Sequence, residues 1–113
     1  MALTTDLTIH QGEDVVIDVT VWSDETKTTV RDINGASAVY RIGKIGSDKL
    51  VLSKAAQITN GGQGQLRISL LDSETANLAA RRYTHQVVVT DTNGLITVVT
   101  DGFLTVKETL PNS

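Results

Sequence analysis

Apolar and polar residues alternate one by one along three segments in the second half of the chain. In residues 65–70, two leucines and one isoleucine fall on one face and three polar residues on the other. A second alternating segment begins at Arg82-Tyr83, and a third follows it from Leu95 to Lys107; the two meet at residues 91–94. A period of two is the pattern of a half-buried β-strand, and the Asn-Gly pair at the meeting point is typical of a hairpin turn. The pattern predicts one layer of a β-sandwich.

The first half of the chain contains further strand candidates. Residues 7–9 and 15–22 alternate and are separated by turn residues, and residues 38–42 alternate after the turn-forming stretch that precedes them. A short fourth strand at Leu50 and Leu52 is expected at a sheet edge, with renewed pairing near Ile58. The polar segment 23–31 has no period and is expected to be a surface loop.

One short helix is predicted between the strands. Over residues 72–79, Asp72 or Ser73 is suited to cap the helix, and Glu74 lies in its positively polarised first turn. About seven strands and one helical turn predict an all-β fold, an immunoglobulin-like antiparallel β-sandwich. We expect one domain over residues 1–108, with residues 109–113 as a C-terminal tail.

Glycines predict two local features. Gly61 and Gly62 are expected to supply the positive φ angles of a tight turn. Gly102, inside the last strand, is expected to mark a bulge or a close crossing of backbones.

Composition narrows the range of partners. Ten Lys and Arg against thirteen Asp and Glu give a formal net charge of −3, and the cations are scattered. Nucleic acid and anionic membranes are therefore not expected as partners, since both need clustered cations. The chain has no cysteine, which excludes disulfides and thiolate sites. It has no long apolar run and no signal-peptide pattern, so we expect a soluble chain outside the secretory route.

No residue pattern predicts catalysis, and we assign no catalytic, cofactor-binding or metal-binding residue and no cofactor. His10 and His85 lie on separate predicted strands without metal-ligand spacing, so His85 is interpreted as a half-buried space filler beside Tyr83. Residues 61–64 lack the Lys-Ser/Thr of a phosphate loop and predict a flexible hairpin. The aspartates are interpreted as turn caps, with a calcium site as the alternative: Asp14, Asp18, Asp32, Asp48, Asp72, Asp91 and Asp101.

Two surface features leave their role open. Lys54, Arg81 and Arg82 form a basic trio that either meets an acidic partner or is simply solvated. Trp22 falls on the face opposite the core valines of its strand, so it either anchors an interface or folds over the rim of the sandwich.

Six short motifs follow one another along the chain: Leu7-Thr8-Ile9-His10-Gln11-Gly12-Glu13-Asp14, Val30-Arg31-Asp32-Ile33-Asn34-Gly35, Gly64-Gln65-Leu66-Arg67-Ile68-Ser69-Leu70, Thr75-Ala76-Asn77-Leu78, Arg82-Tyr83-Thr84-His85 and Asp91-Thr92-Asn93-Gly94. In this order they resemble an immunoglobulin-like structural domain of tailed bacteriophages, similar to the N-terminal domain of phage upper-baseplate proteins. The chain departs from that family at Arg81, where a glycine is usual, at His85, where an aromatic is common, and at residues 28–29, where a proline is often found.

The resemblance implies a structural role and transfers no catalytic residue. The expected function is a virion adaptor or accessory protein of the tail, baseplate or neck, docked to other phage structural proteins as a homo-oligomer in a symmetric assembly. Its expected location is the virion, after assembly in the host cytoplasm. The alternative is a β-sandwich module that binds carbohydrate or a host surface; such modules usually display several aromatics, of which this chain has few.

Overall fold

Strands account for most of the fold, and they lie close to where the alternation predicts them. The computed structural model describes residues 3–4, 6–23, 29–46 and 49–108. The elements are β1 (Leu3–Thr4), β2 (Leu7–His10), β3 (Val15–Thr20), β4 (Ser37–Lys44), β5 (Leu50–Asn60), a 3₁₀ turn (Gly61–Gln63), β6 (Gln65–Leu70), α1 (Asp72–Ala76), β7 (Arg82–Thr90) and β8 (Ile96–Lys107). The predicted tail, residues 109–113, lies outside the described residues.

The strands follow one path in the order β1-β8-β7-β4-β5-β6-β3, with β2 also paired to β8. The first part of β5 pairs with β4 and its last residues pair with β6, so this strand passes from one layer to the other. One layer thus holds β4, β7 and β8, and the other holds β3, β6 and the end of β5. This grouping is that of an immunoglobulin-like sandwich, and the predicted all-β sandwich is confirmed.

Two strand predictions need correction. The short strand at Leu50 and Leu52 is the start of an eleven-residue strand that continues without interruption through Ile58. The sandwich is also not wholly antiparallel, because β1 and β2 pair with β8 in parallel. The strands at the start of the chain, β1 and β2, therefore lie beside β8 and do not pair with β3.

The core lies between the two layers. The alternation of β6 is confirmed, since Leu66, Ile68 and Leu70 are buried and the residues between them are exposed. On β7 the inward residues Tyr83, His85, Val87 and Val89 are all buried. Each layer thus presents one apolar face to the other, and burial of that surface is the main favourable term in folding.

A close backbone crossing occurs at Gly64. Gly64 has a φ of 68°, and a Cβ there would lie 2.6 Å from the carbonyl oxygens of both Val21 and Arg31. Gly61 and Gly62 are not among the glycines with positive φ. Gly102 has a φ of 147° and pairs with His85 in the regular ladder between β7 and β8. The bulge of β8 lies at Val99 instead, between Thr100, which pairs with Val87, and Val98, which pairs with Val88.

Candidate docking site at the edge of the sandwich

A groove separates β2 from β3 where the two layers do not close on each other. It consists of two adjoining hollows of about 350 and 440 Å³ that share Leu7, Ile17 and Asp18. The first reaches inward to the core, and the second runs along the outside towards the β2–β3 turn. The two hollows are lined by Leu7, Thr8, Ile9, Glu13, Asp14, Val15, Val16, Ile17, Asp18, Val19, Thr20, Trp22, Tyr40, His85, Gln86, Val87 and Thr100.

The edge of β3 beside this groove is open. β3 makes six consecutive pairs with β6, from Val15 with Leu70 to Thr20 with Gln65, without a bulge. Among the described residues, no strand pairs with its other edge from Val15 to Thr20. The inward residues Val15, Ile17 and Val19 are accordingly only half-buried, unlike their partners on β6.

The open edge ends where the chain turns back on itself. Val21 donates its N–H to Gly64 at 2.7 Å, and Arg31 donates its N–H to Val21 at 2.9 Å. Trp22 forms an isolated antiparallel bridge with Val30. The two ends of the segment 23–31, predicted as a loop, therefore pair with each other in antiparallel fashion. Its centre, residues 24–28, lies outside the described residues. Trp22 is partly buried and lines the groove at this end.

The opposite end of the groove is held by α1. The side chain of Asp14 accepts the N–H of Asp72 at 2.8 Å, and the hydroxyl of Thr75 donates to the carbonyl of Glu13 at 2.8 Å. Thr75 is fully buried. These bonds fix the turn between β2 and β3 against the helix, so the distance between the two strands is set at this end.

The helix itself differs from the prediction. It spans only Asp72–Ala76 and its N-cap is Leu71, which has no side-chain acceptor. The orphan N–H groups are satisfied by Asp14, by Glu74, which accepts the N–H of Leu71 at 2.9 Å, and by Asp72, which accepts that of Ser73 at 2.7 Å. An acceptor distant in sequence therefore takes over part of the capping role predicted for Asp72 or Ser73.

A buried polar pair forms the floor of the groove. The hydroxyl of Tyr40 and Nδ1 of His85 are 2.8 Å apart, and the two rings meet edge to face with centroids 5.6 Å apart. Burial raises the pKa of Tyr40, so the hydroxyl keeps its proton. His85 is thus a fully buried residue bonded to Tyr40 rather than a half-buried neighbour of Tyr83.

The rim of the groove is acidic. Glu13, Asp14 and Asp18 are among its lining residues, and no lysine or arginine of the described ranges is. Asp18 accepts a bond from Nε of Arg67 at 2.7 Å on the outer face of the layer, which raises the pKa of Arg67. This bond offsets part of the negative charge of Asp18 but adds no cation to the groove.

The other sequence candidates are dispersed. His10 lies at the surface, with its Nδ1 3.7 Å from Oε1 of Glu13, whereas His85 is buried on another strand. Lys54 bonds to Glu74, whereas Arg81 lies over the ring of Tyr83 and Arg82 over that of Phe103. In the described part of the chain, no three His, Cys, Asp or Glu side chains are grouped so as to hold a metal ion.

Several aspartates satisfy backbone N–H groups, as the turn-cap interpretation requires. Asp32 accepts the N–H of Asn34 at 2.9 Å, and Asp91 accepts those of Asn93 and Leu95 at 2.9 Å each. The predicted hairpin turn at residues 91–94 is confirmed by these bonds and by the pairing of β7 with β8. Asp48 lies outside the described residues.

Comparisons with known proteins were made by family model, by sequence and by structure. No family model matches the chain, and no curated protein matches it. The solved structures that match include the crystal structure of CopC from Methylosinus trichosporium OB3b, which is 18% identical and covers 70% of this chain and 74% of that chain with a TM-score of 0.43. A likeness of this strength supports no function for the chain.

The predicted function as a phage virion adaptor is contradicted by the comparisons and is not proposed further, since the solved structure named above is a CopC and neither a family model nor a curated protein matches the chain. The motif resemblance to the phage domain itself stays a prediction that no comparison tests. We also do not propose the carbohydrate-binding alternative, since Tyr40 and Tyr83 are buried and cannot stack on a sugar. No helix within the described ranges is long and apolar enough to cross a membrane.

Proposed function

We propose that this chain is a protein-docking module without a catalytic role, which binds an extended segment of another polypeptide along the open edge of β3. The observation that carries the proposal is the unpaired edge from Val15 to Thr20 lying beside an apolar groove. The proposal assigns binding and no chemical step.

Backbone chemistry favours an extended partner. In an antiparallel edge strand, alternate residues direct both N–H and C=O away from the sheet, and these groups are satisfied by an added strand. Proteins often use a proline or a bulge in an edge strand to discourage the addition of another strand. β3 has no proline, and its ladder with β6 has no bulge. The free edges of β5 are less suited, because this strand changes layers part-way along its length.

Side-chain chemistry describes the partner further. Alternate residues of an added strand would point towards the groove, whose lining includes Leu7, Ile17 and Val19. The residues between them would face the acidic rim at Glu13 and Asp18. The groove therefore fits a segment in which apolar residues alternate with lysine or arginine.

Binding of a designed peptide tests this proposal. The probe is a six-residue peptide of alternating valine and lysine, matched in length to β3, and the control peptide has glutamate in place of lysine. Titration followed by backbone amide NMR should show saturable binding of the lysine peptide, with the shifts along β3, and weaker binding of the glutamate peptide. Failure of both peptides to bind, or equal binding of both, would contradict the proposal.

Two protein variants locate the site. Ile17→Lys places a charge in the groove and should abolish binding of the lysine peptide. Ser69→Ala changes an exposed residue of β6, the strand paired with β3, that lines neither hollow, and should leave the affinity within about threefold. Equal loss in both variants would point to damage of the layer rather than to a site in the groove, and would count against the proposal.

A further inference from the structure

The outer face of the other layer has an apolar row that the core does not explain. Val39, Val88 and Val98 are directly opposite one another on β4, β7 and β8. Val88 is only 5% exposed, yet it is not part of the core cluster that contains its neighbours Val87 and Val89. Because neighbouring strand residues point to opposite faces, these three residues, the valine row, lie on the outside of the sandwich.

A second row lies next to the valine row on the same face. Arg41, Gln86 and Asp101 are opposite one another on the same three strands, with one cation at one side and one carboxylate at the other. We call these residues the charged row. Arg41 and Gln86 are exposed and Asp101 is partly exposed.

The two rows together are complementary to themselves. A two-fold axis that runs parallel to β7 and above it would place β4 of one copy over β8 of the other. Arg41 would then face Asp101 of the second copy twice over, and Val39 would face Val98 while Val88 faced Val88. An isologous interface requires this kind of self-matching surface, and opposite charges across it favour that one arrangement.

We infer that this outer face binds a second copy of the chain, in a symmetric dimer with the valine row at its centre and two Arg41–Asp101 pairs at its sides. The size of the face is sufficient. β7 has nine residues, about 30 Å at ~3.4 Å per residue, and the four strands β8, β7, β4 and the first part of β5, ~4.8 Å apart, span about 19 Å. The product, on the order of 600 Å², is at the low end of one partner's share of a specific interface, so we expect a concentration-dependent dimer.

Sedimentation velocity on the full chain, from micromolar to near-millimolar concentration, tests this inference. The wild-type chain should shift from monomer to dimer. Arg41→Asp and Asp101→Arg should each weaken the dimer about tenfold or more, because every substitution acts twice across the axis. The double variant Arg41→Asp/Asp101→Arg restores opposite charges and should recover the dimer, an outcome that misfolding of the single variants cannot produce.

A matched pair of valine substitutions tests the location. Val98→Lys should abolish the dimer, whereas Val16→Lys, on the outer face of the other layer, should leave it intact. A chain that stays monomeric throughout, a dimer that survives Val98→Lys, or a double variant that stays as weak as the singles would each overturn the inference. Thermal unfolding of every variant shows that it is folded before it is compared.

Discussion

β3 and β7 have similar sequence patterns and opposite environments. Both alternate and both are rich in valine, as in Val15–Thr20 and Arg82–Thr90. Within the part of the chain that the structure describes, β7 pairs with β4 on one side and β8 on the other, whereas β3 pairs with β6 alone. All inward residues of β7 are buried, while those of β3 are half-buried. Alternation thus identifies a strand but does not reveal whether the strand is central or at an edge.

This difference separates what holds the fold together from what is available to bind. The inward residues of β7 bury their full side chains between two neighbouring strands and the opposite layer. Residues of β3 keep part of their apolar surface exposed along the groove, and no strand that the structure describes pairs with half of their backbone groups. We therefore expect substitutions on β7 to change mainly stability, and substitutions on β3 to change mainly binding.

The largest effect is expected from matched valine truncations. Val89→Ala on β7 removes two methyl groups from a fully buried site and should lower the free energy of unfolding by about 2 to 3 kcal/mol. Val19→Ala on β3 removes the same groups from a half-buried site and should cost about 1 kcal/mol or less. Urea unfolding of the two variants checks this. Equal costs would show that β3 is as well packed as β7.

A smaller loss is expected at the groove floor. Tyr40→Phe removes the hydroxyl that bonds to Nδ1 of His85, which should cost about 1 to 2 kcal/mol at neutral pH. Burial raises the pKa of Tyr40 above its ordinary value of 10.0. The unfolded chain therefore loses this proton first, so the stabilisation is complete below pH ~10 and is lost as the pH rises further.

Urea unfolding at neutral pH and at about pH 10.5 measures this effect. The wild-type chain should lose more stability between the two conditions than Tyr40→Phe does. The same loss in both proteins would contradict the assignment of this alkaline sensitivity to Tyr40.

The smallest effect is expected at the helix that holds the groove end. A bond from Lys54 and one from the N–H of Leu71 lower the pKa of Glu74 below its ordinary value of 4.5. The pKa of Glu74 is therefore lower in the folded chain than in the unfolded chain. The ionised carboxylate stabilises the fold at pH values above its unfolded-state pKa, and this contribution is lost as the pH falls through its folded-state pKa. Glu74→Gln should therefore cost about 0.5 kcal/mol at neutral pH, since the pair is partly exposed, and close to nothing at about pH 3. An equal cost at both pH values would contradict this reading.

Local patterns were sufficient for much of the fold. The alternation of β6 and β7 and the turn at residues 91–94 depend on neighbours in sequence, and they were predictable for that reason. The length of β5, the parallel pairing of β2 with β8 and the cap that Asp14 supplies to α1 depend on residues far apart in the chain. No periodicity encodes such pairings.

The candidate site was less predictable than the fold. The sequence places Trp22 on the face opposite the core valines of its strand. The groove that Trp22 lines exists because β2 pairs with β8 instead of β3, which the sequence does not reveal. The alternation of residues 7–10 is compatible with either pairing. The bond between Tyr40 and His85 likewise joins β4 to β7 across 45 positions, and neither residue has a local motif.

Amide hydrogen exchange along β3 and β7 tests the open edge most directly. Each residue of an antiparallel strand directs its N–H to one side only, so alternate amides of Val15–Thr20 should exchange fast while the others, bonded to β6, are protected. All amides within β7 should be protected, because the strand has a partner on each side. Uniform protection along β3, at the level of β7, would mean that its edge is already occupied and would contradict the account.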